Sequence, residues 1–261
     1  MNHVALITGG SSGLGYCLAR EFAKNGFNIL IVSHNPSAND DAVAKIKRDF
    51  RIQATSFSID LREETSAEAV YGFCRENGIE VEALVNNAGA GNYGPFAESF
   101  IDDNEAIVQL DVVTLIDLTY LFLHHMLEVG KGYIMNVTST AAFQPGPNVA
   151  VYYASKAFVE SFTEAIAEEN RYSGIIISAF CPGPIASPFL KNTGMDRSVL
   201  VEKFKPDDPE KLAHYAFQKL MKGVVVIISG GKNKRRVFAT RLFSRKTIRH
   251  MMAKITAPKK G

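Results

Sequence analysis

The residues best placed to do chemistry are a tyrosine and a lysine that stand four positions apart. On a helix, Tyr152 and Lys156 share one face. A phenol has a pKa of about 10, and a neighbouring ammonium favours the phenolate and lowers that pKa. Ser139 ends an upstream apolar segment and carries a hydroxyl that can hydrogen-bond a carbonyl oxygen. Together these side chains predict an acid–base site that acts on an oxygen atom, with Tyr153 ranked second because it lacks the four-residue spacing.

A glycine-rich loop near the start of the chain predicts a nucleotide site. Its residues run Thr8-Gly9-Gly10-Ser11-Ser12-Gly13-Leu14-Gly15, directly after an apolar segment and before a helical one. Glycines allow a tight turn and close approach to a phosphate, and the start of a helix offers free N–H groups. The spacing is wider at its start than in the common dinucleotide loop, and the loop lacks the Gly-Lys-Ser/Thr ending of phosphoryl-transfer loops. We therefore expect a bound nucleotide cofactor and not kinase or ATPase chemistry.

The end of the second expected strand indicates which nucleotide is bound. An acidic residue there would accept hydrogen bonds from the adenosine ribose hydroxyls and would repel a 2′-phosphate. This chain instead has Ser33 and His34, a hydroxyl followed by a side chain that can carry positive charge. The sequence therefore favours NADP(H) over NAD(H), and the alternative is a solvent-exposed His34 with no role in cofactor binding.

Apolar segments alternate with longer helical ones along the chain. The expected strands are residues 3–8, 28–33, 53–59, 83–86, 132–139, 174–180 and 224–229. The expected helices are residues 14–25, 41–50, 64–77, 104–128 and 152–172. Such alternation is typical of a doubly wound parallel sheet with helices on both faces, which binds its ligands at the carboxyl ends of the strands.

These motifs together make the sequence resemble the compact, single-domain type of the short-chain dehydrogenase/reductase family over nearly all of residues 3–230. The motifs that carry the resemblance are the glycine loop, Asp60-Leu61, Asn86-Asn87-Ala88-Gly89, Ser139, Tyr152 with Lys156, and Pro182-Gly183. The resemblance implies a Rossmann-like, three-layer α/β/α fold and an NADP-dependent oxidoreductase that acts on a small-molecule carbonyl or alcohol substrate. It also implies a homodimer or homotetramer in which helices 104–128 and 152–172 pair across a twofold axis.

The resemblance further implies roles for individual residues. Asp60 would hydrogen-bond the adenine amino group, Lys156 would bind the nicotinamide ribose, and segment 182–187 would hold the carboxamide. Ser187 stands where the family commonly has threonine, and it keeps the hydroxyl. The expected cofactor-binding residues are Gly9, Ser11, Ser12, Gly13, Leu14, Gly15, Ser33, His34, Asp60, Leu61, Asn87, Ala88, Gly89, Tyr152, Lys156, Pro182, Gly183, Ile185 and Ser187.

One position departs from the family pattern. Asp111 stands where the family usually has asparagine. In relatives the backbone carbonyl of that residue holds a water that links the lysine to solvent, a role that a nearly isosteric aspartate could keep. A buried carboxylate beside Lys156 could instead pair with it and weaken its effect on Tyr152. Asp111 is therefore a catalytic candidate whose expected effect is on turnover.

Composition indicates a soluble globular protein. The chain has 261 residues, of which 46% are hydrophobic and 21% charged. Its three cysteines are too widely spaced for a disulfide framework or a zinc site, and His124-His125 lack ligand geometry, so we expect no metal. No apolar run reaches the ~18 residues of a membrane span, and the start does not read as a secretory signal. These features favour a cytoplasmic location and give no indication of a nucleic-acid partner.

Charge is distributed unevenly along the chain. Residues 1–210 contain all 27 carboxylates and have a net charge of −12, whereas the final 51 residues have a net charge of +14. We expect a catalytic domain at 1–231 and a basic extension at 232–261, with one helix reaching about residue 255 whose Arg241, Arg245 and Arg249 form a row. This surface suits peripheral contact with an anionic membrane. Packing against a second subunit, or a solvated tail that balances an acidic body, are the alternatives.

Two segments are expected to select the substrate. Residues 91–101 follow the Asn87 loop, and residues 189–204 are expected to form a mobile lid because they contain turn residues. Their apolar side chains indicate a hydrophobic substrate. One alternative function is a catalytically weak NADP-binding regulatory protein, which Asp111 favours and the intact Ser139, Tyr152 and Lys156 oppose. The other is an epimerase of the same fold, which the three-residue gap between the first loop glycines disfavours.

Overall fold

The fold is built on one parallel sheet of seven strands. A computed structural model describes residues 1–259 of the chain. The strands are β1 (Val4–Thr8), β2 (Asn28–Ser33), β3 (Ala54–Ser58), β4 (Val81–Asn86), β5 (Gly132–Val137), β6 (Ile175–Cys181) and β7 (Val226–Ile228). Their order in the sheet is β3-β2-β1-β4-β5-β6-β7, so the direction of winding reverses between β1 and β4. The expected Rossmann-like α/β fold is confirmed, and a ligand crevice is expected at that reversal.

Helices cover both faces of the sheet. They are α1 (Gly13–Lys24), α2 (Pro36–Asp49), α3 (Ser66–Glu76), α4 (Ile101–Val108), α5 (Thr114–Val129), α6 (Ala150–Glu169), α7 (Pro188–Asn192), α8 (Val199–Lys203), α9 (Pro209–Leu220), α10 (Gly231–Thr240) and α11 (Arg245–Ile255). Helices α1, α2 and α9 bury apolar side chains against one face, and α3, α5 and α6 against the other. Because both faces are covered, the strands are apolar without alternation, as in β1 where Leu6 and Ile7 are both fully buried.

Two helix predictions need correction. The helix expected at 104–128 begins at Ile101 and contains a π-helical turn, Gln109–Val113, which separates α4 from α5 around Asp111. The single helix expected in the basic extension is in fact two helices, because residues 241–244 between Thr240 and Arg245 are not helical. Arg241 therefore lies outside the helix that carries Arg245 and Arg249, and the predicted row of three arginines is wrong.

The continuous helical stretch Ile101–Val129 is long and apolar enough to cross a membrane by length and composition, with a mean hydropathy of 1.8 over its best window. This differs from the expectation that no apolar run reaches the length of a membrane span. A core helix of a soluble protein passes the same test, and this stretch packs against α3 and α6. It is therefore weak evidence for a membrane span.

Candidate active site

The carboxyl edge of the sheet brings the predicted site residues together. β1 leads into the glycine loop, β2 ends at Ser33, and β4 ends at Asn86. β5 ends at Val137, two residues before Ser139, and β6 is followed directly by Pro182. Because all the strands are parallel, these positions share one edge of the sheet.

The glycine loop has the shape of a phosphate cradle. Gly9 and Gly13 have positive φ values of 63° and 53°, a conformation that strongly favours glycine. A Cβ at Gly15 would overlap the carbonyl oxygen of Gly9 and would lie 2.5 Å from Nδ2 of Asn87. The side chain of Ser12, the N-cap residue of α1, makes no capping hydrogen bond. The first N–H groups of α1 are therefore available to an anion, which fits the phosphates of a dinucleotide.

A second loop is clamped to this cradle. The backbone N–H groups of Asn87 and Ala88 each donate to Oγ1 of Thr8 at 2.9 Å. Nδ2 of Asn87 also donates to the carbonyl oxygen of Thr8 at 3.0 Å. Residues 87–89 thus form the wall of the crevice between β1 and β4, where the sequence placed them.

Hydroxyls lie at the end of β2, and the loop after β3 carries a cation, Arg62, that sequence reasoning missed. The hydroxyls of Ser11 and Ser33 lie 3.0 Å apart, and His34 is exposed beside them. The guanidinium of Arg62 holds both carboxylate oxygens of Asp60, at 3.0 Å from Nε and 2.6 Å from Nη2. This pairing lowers the pKa of Asp60 to about 2. In the sequence, Asp60 and Arg62 are only two residues apart, and this spacing does not predict an ion pair unless the conformation of the loop is known.

Leu61 has a structural contact that the sequence did not indicate. Its side chain is buried, and its carbonyl oxygen accepts a hydrogen bond from the Thr114 hydroxyl at 2.8 Å. This contact ties the loop after β3 to the start of α5.

Ser139, Tyr152 and Lys156 lie near one another after β5 and at the start of α6. Nζ of Lys156 lies 5.6 Å from the centre of the Tyr152 ring. Ser139 is near enough to the Tyr152 phenol to lower its pKa, and Oγ of Ser139 accepts a hydrogen bond from the backbone N–H of Ala141 at 3.1 Å. Tyr153 is buried in an apolar cluster instead, so the ranking of the two tyrosines by spacing agrees with the geometry.

Asp111 forms a buried ion pair with the lysine of this group. Its Oδ2 lies 3.0 Å from Nζ of Lys156, and the two side chains are 0% and 6% exposed. The carboxylate also accepts from the backbone N–H of Ala90 at 2.8 Å and from the Ser155 hydroxyl at 3.1 Å. The pairing that the sequence left open is therefore present, and Ser155 is a further partner that sequence reasoning missed.

The ion pair changes the electrostatics of Tyr152. Burial of the phenol, followed by the negative charge of Asp111, raises the pKa of Tyr152 well above its ordinary value, and the nearby Ser139 opposes this. The expectation that Lys156 lowers the pKa of Tyr152 is thus wrong for the protein by itself. The main physical reason is burial of the phenol, which disfavours the charged phenolate, and the carboxylate of Asp111, 3.0 Å from Nζ of Lys156, adds to this effect.

The segment after β6 is tied down at its base. The backbone N–H of Ala186 donates to the carbonyl oxygen of Asp207 at 3.0 Å. The backbone N–H of Asp207 donates to the carbonyl oxygen of Pro184 at 2.8 Å. Between these ties lie α7 and α8, the region expected to be a lid. A Cβ at Gly13 would lie 3.3 Å from Cβ of Ser187, so the segment reaches the glycine loop.

The C-terminal helix packs against the residues around Tyr152. One apolar cluster contains buried side chains of α11 together with the tyrosines and the lid: Ile248, Met252, Ile255, Tyr153 and Met195, with Tyr152 and Phe189 packed against them. The hydroxyl of Tyr93 donates to the carbonyl oxygen of Thr256 at 2.9 Å, and the backbone N–H of Val199 donates to that of Ala257 at 3.0 Å. Sequence reasoning assigned α11 to a separate extension and missed this wall.

Comparison with known proteins agrees with this architecture. A family model described as short chain dehydrogenase matches residues 3–198. The chain belongs to the short-chain dehydrogenase family. It is 33% identical over 177 residues to a very-long-chain 3-oxoacyl-CoA reductase of Coprinopsis cinerea, which covers 66% of this chain and 52% of the relative. It is 30% identical over 195 residues to the protein of that name from Macaca fascicularis, covering 72% and 61%.

The chain therefore spans only about half to three fifths of the length of these curated relatives. Among solved structures, a short-chain dehydrogenase from Sphingobium yanoikuyae in complex with NADPH has a TM-score of 0.83 at 24% identity, covering 99% of this chain and 98% of that one. At that identity the likeness concerns the fold.

Proposed function

We propose that this protein is an NADPH-dependent reductase of a hydrophobic carbonyl substrate, with Ser139, Tyr152 and Lys156 as its proton-transfer site. The observation that carries the proposal is the meeting of these three side chains at the strand edge that also bears the glycine loop. A phenol beside a serine hydroxyl is suited to act on a carbonyl oxygen, because both hydroxyls can converge on that atom.

The residues of the crevice fit a nicotinamide dinucleotide. The uncapped start of α1, the left-handed glycines and the clamped Asn87 loop suit the phosphates and the ribose. Ser11, Ser33, His34 and Arg62 offer donors for a 2′-phosphate, and no carboxylate ends β2, which supports NADP over NAD. When bound, the cofactor supplies the hydride that reduces the carbonyl carbon.

The protein's own groups would then manage the proton. Ser139 and Tyr152 hold the substrate oxygen by hydrogen bonds, and Tyr152 gives its proton to that oxygen as the alcohol forms. Because its pKa is raised, the phenol of Tyr152 is protonated at neutral pH, which is the form that a general acid requires. Asp111 holds Nζ of Lys156 at 3.0 Å, and this ammonium would bind the ribose hydroxyls of the cofactor.

The substrate side supports an apolar substrate. Phe189 and Met195 from the lid and Met252 from α11 cluster around Tyr152. Two curated relatives are named very-long-chain 3-oxoacyl-CoA reductase, so a 3-oxoacyl thioester is the first substrate class to test. In such a site the main polar atom of the substrate is the reacting oxygen, which Ser139 and Tyr152 would hydrogen-bond.

We also propose a homodimer or homotetramer in the cytoplasm. Helices α5 and α6 expose large apolar side chains, among them Tyr120, Leu127 and Phe158 at 61%, 42% and 44%. Pairing of α5 and α6 across a twofold axis would cover them. Peripheral attachment to a membrane through the basic C-terminal region belongs to the same proposal.

The test is NADPH oxidation with 3-oxoacyl-CoA thioesters of increasing chain length, beside a panel of ketones and aldehydes. We expect turnover with at least one apolar substrate. Tyr152→Phe should lower kcat by at least about 100-fold, with NADPH affinity unchanged. The control is Tyr153→Phe, which removes a hydroxyl from the neighbouring buried ring and should keep near-normal activity.

A second candidate function is a regulatory protein that binds NADP without efficient turnover. The ion pair between Lys156 and Asp111 and the raised pKa of Tyr152 favour it, because both weaken general base catalysis. Tight NADPH binding with no turnover on the whole panel would establish this candidate in place of the reductase.

A further inference from the structure

The C-terminal elbow is the most cationic surface of the molecule. We define it as α10, the turn 241–244, and α11 with its continuation to Lys259. Its 29 residues contain ten Lys and Arg side chains and no Asp or Glu. All ten are exposed. Within residues 1–259, which the structure describes, none of them forms an ion pair with a carboxylate within 4.0 Å.

The bend of the elbow also exposes three large apolar side chains. Phe238, Leu242 and Phe243 are 60%, 69% and 56% exposed. Phe238 lies on α10 directly after Val237, which is buried together with Asn233. Arg241, Arg245 and Lys246 flank these apolar residues in the sequence. Exposure of such apolar side chains to water costs free energy, so a tail that was only solvated would not favour them.

We propose that the C-terminal elbow binds the surface of an anionic lipid membrane, with Phe238, Leu242 and Phe243 inserted among the lipids. Cations attract the lipid headgroups, and apolar side chains at the same bend gain free energy by entering the acyl boundary. A nucleic acid would use the cations but would leave the apolar residues in water. A second copy of the same face would bring two cationic surfaces together, which repel one another.

The inner side of the elbow gives this attachment a consequence for the substrate, a step that rests on the proposed reductase function. Ile248 and Met252 of α11 face the cluster that contains Tyr152. The continuation of α11 holds the lid, since the backbone N–H of Val199 donates to the carbonyl oxygen of Ala257. One helix thus lies between the membrane surface and the substrate side, so an apolar substrate dissolved in the bilayer would reach Tyr152 without crossing bulk water.

Co-sedimentation of the full-length protein with vesicles tests the attachment without any turnover. We expect binding to phosphatidylcholine vesicles that contain phosphatidylglycerol, little binding to phosphatidylcholine alone, and release by salt because screening shortens the reach of the charges. Arg245→Glu with Lys246→Glu should weaken binding by about tenfold or more. Phe238→Ser with Leu242→Ser should weaken it while the salt dependence remains.

The matched control is Lys45→Glu with Lys47→Glu on α2. It changes the net charge by the same amount on another exposed surface and should leave vesicle binding near that of the wild type. Thermal unfolding of each variant checks that the fold is intact, and the altered side chains are exposed, so we expect little change.

Three results would overturn the proposal. One is the absence of binding to anionic vesicles, and another is binding that the elbow variants leave unchanged. The third is a lower oligomeric mass of the elbow variants in solution, which would assign the surface to a second copy of the chain. Vesicle binding without turnover would refute only the reductase function, whereas turnover without vesicle binding would refute only the attachment.

Discussion

The two sides of the crevice are built in different ways. On the nucleotide side, neighbouring loops are joined by backbone contacts, such as those of Asn87 and Ala88 with Thr8, and Gly15 has no room for a side chain. On the substrate side, side chains from α7, α11 and the Tyr93 loop pack into one apolar cluster. The proposed nucleotide side depends on short local motifs, whereas the proposed substrate side is built from segments far apart in the chain. Four substitutions test this contrast.

The largest effect is expected for Gly15→Ala. The new Cβ would overlap the carbonyl oxygen of Gly9, so the loop must shift. We expect loss of NADPH binding in a fluorescence titration and destabilisation of about 1–3 kcal/mol in thermal unfolding. Gly72→Ala, in α3 with no atom within 4 Å of the new Cβ, should instead stabilise the protein by up to about 1 kcal/mol. Normal NADPH binding by Gly15→Ala would show that the nucleotide side is not sterically constrained.

Ser33→Asp should invert cofactor preference. A carboxylate at the end of β2 would repel a 2′-phosphate and could accept hydrogen bonds from ribose hydroxyls. Like charges about 4 Å apart near a protein surface repel by several kcal/mol, so the Kd of NADPH should rise more than tenfold relative to that of NADH. Ser244→Asp makes the same change at the N-cap of α11, where aspartate also caps a helix, and should leave the ratio unchanged. An unaltered ratio in Ser33→Asp would place the 2′-phosphate elsewhere.

Met252→Ala should affect the substrate side alone. Met252 is 4% exposed, so its truncation leaves a cavity in the cluster and should destabilise the protein by about 2 kcal/mol. We expect a higher KM for apolar substrates and an unchanged Kd for NADPH. Met251→Ala, at the 45% exposed neighbouring residue, is the control and should change neither. A rise in the Kd of NADPH would mean that the two sides are coupled.

Asp111→Asn should have the smallest effect, at the point where the two sides meet. Removing the carboxylate removes a charge that raises the pKa of Tyr152, so the phenol should deprotonate at lower pH. Alcohol oxidation near neutral pH should then rise several-fold, and the high-pH limb of ketone reduction should move to lower pH. Cofactor affinity should stay constant. Identical pH–rate profiles of both forms would exclude an electrostatic role of Asp111.

The sequence indicated much of the nucleotide side and little of the substrate side. The glycine loop, Asn87 and the Tyr152–Lys156 spacing are local patterns whose geometry follows from a strand–turn–helix or from one helical turn. The ion pair of Asp111 could only be posed as one of two alternatives, because whether a carboxylate pairs with Lys156 depends on the π-helical turn that carries it. The role of α11 could not be anticipated, since Tyr93 and Thr256 are 163 residues apart when they hydrogen-bond.

By itself the sequence determined the layered sheet and the order of its motifs, because hydrophobic periodicity acts over a few residues, and its glycine spacing predicted where a nucleotide would bind. Only the tertiary structure decided the electrostatic state of Tyr152, the partner of Asp60 and the division of the basic region into two helices. These depend on distances between segments that meet after folding, and such distances are set by the packing of the whole chain.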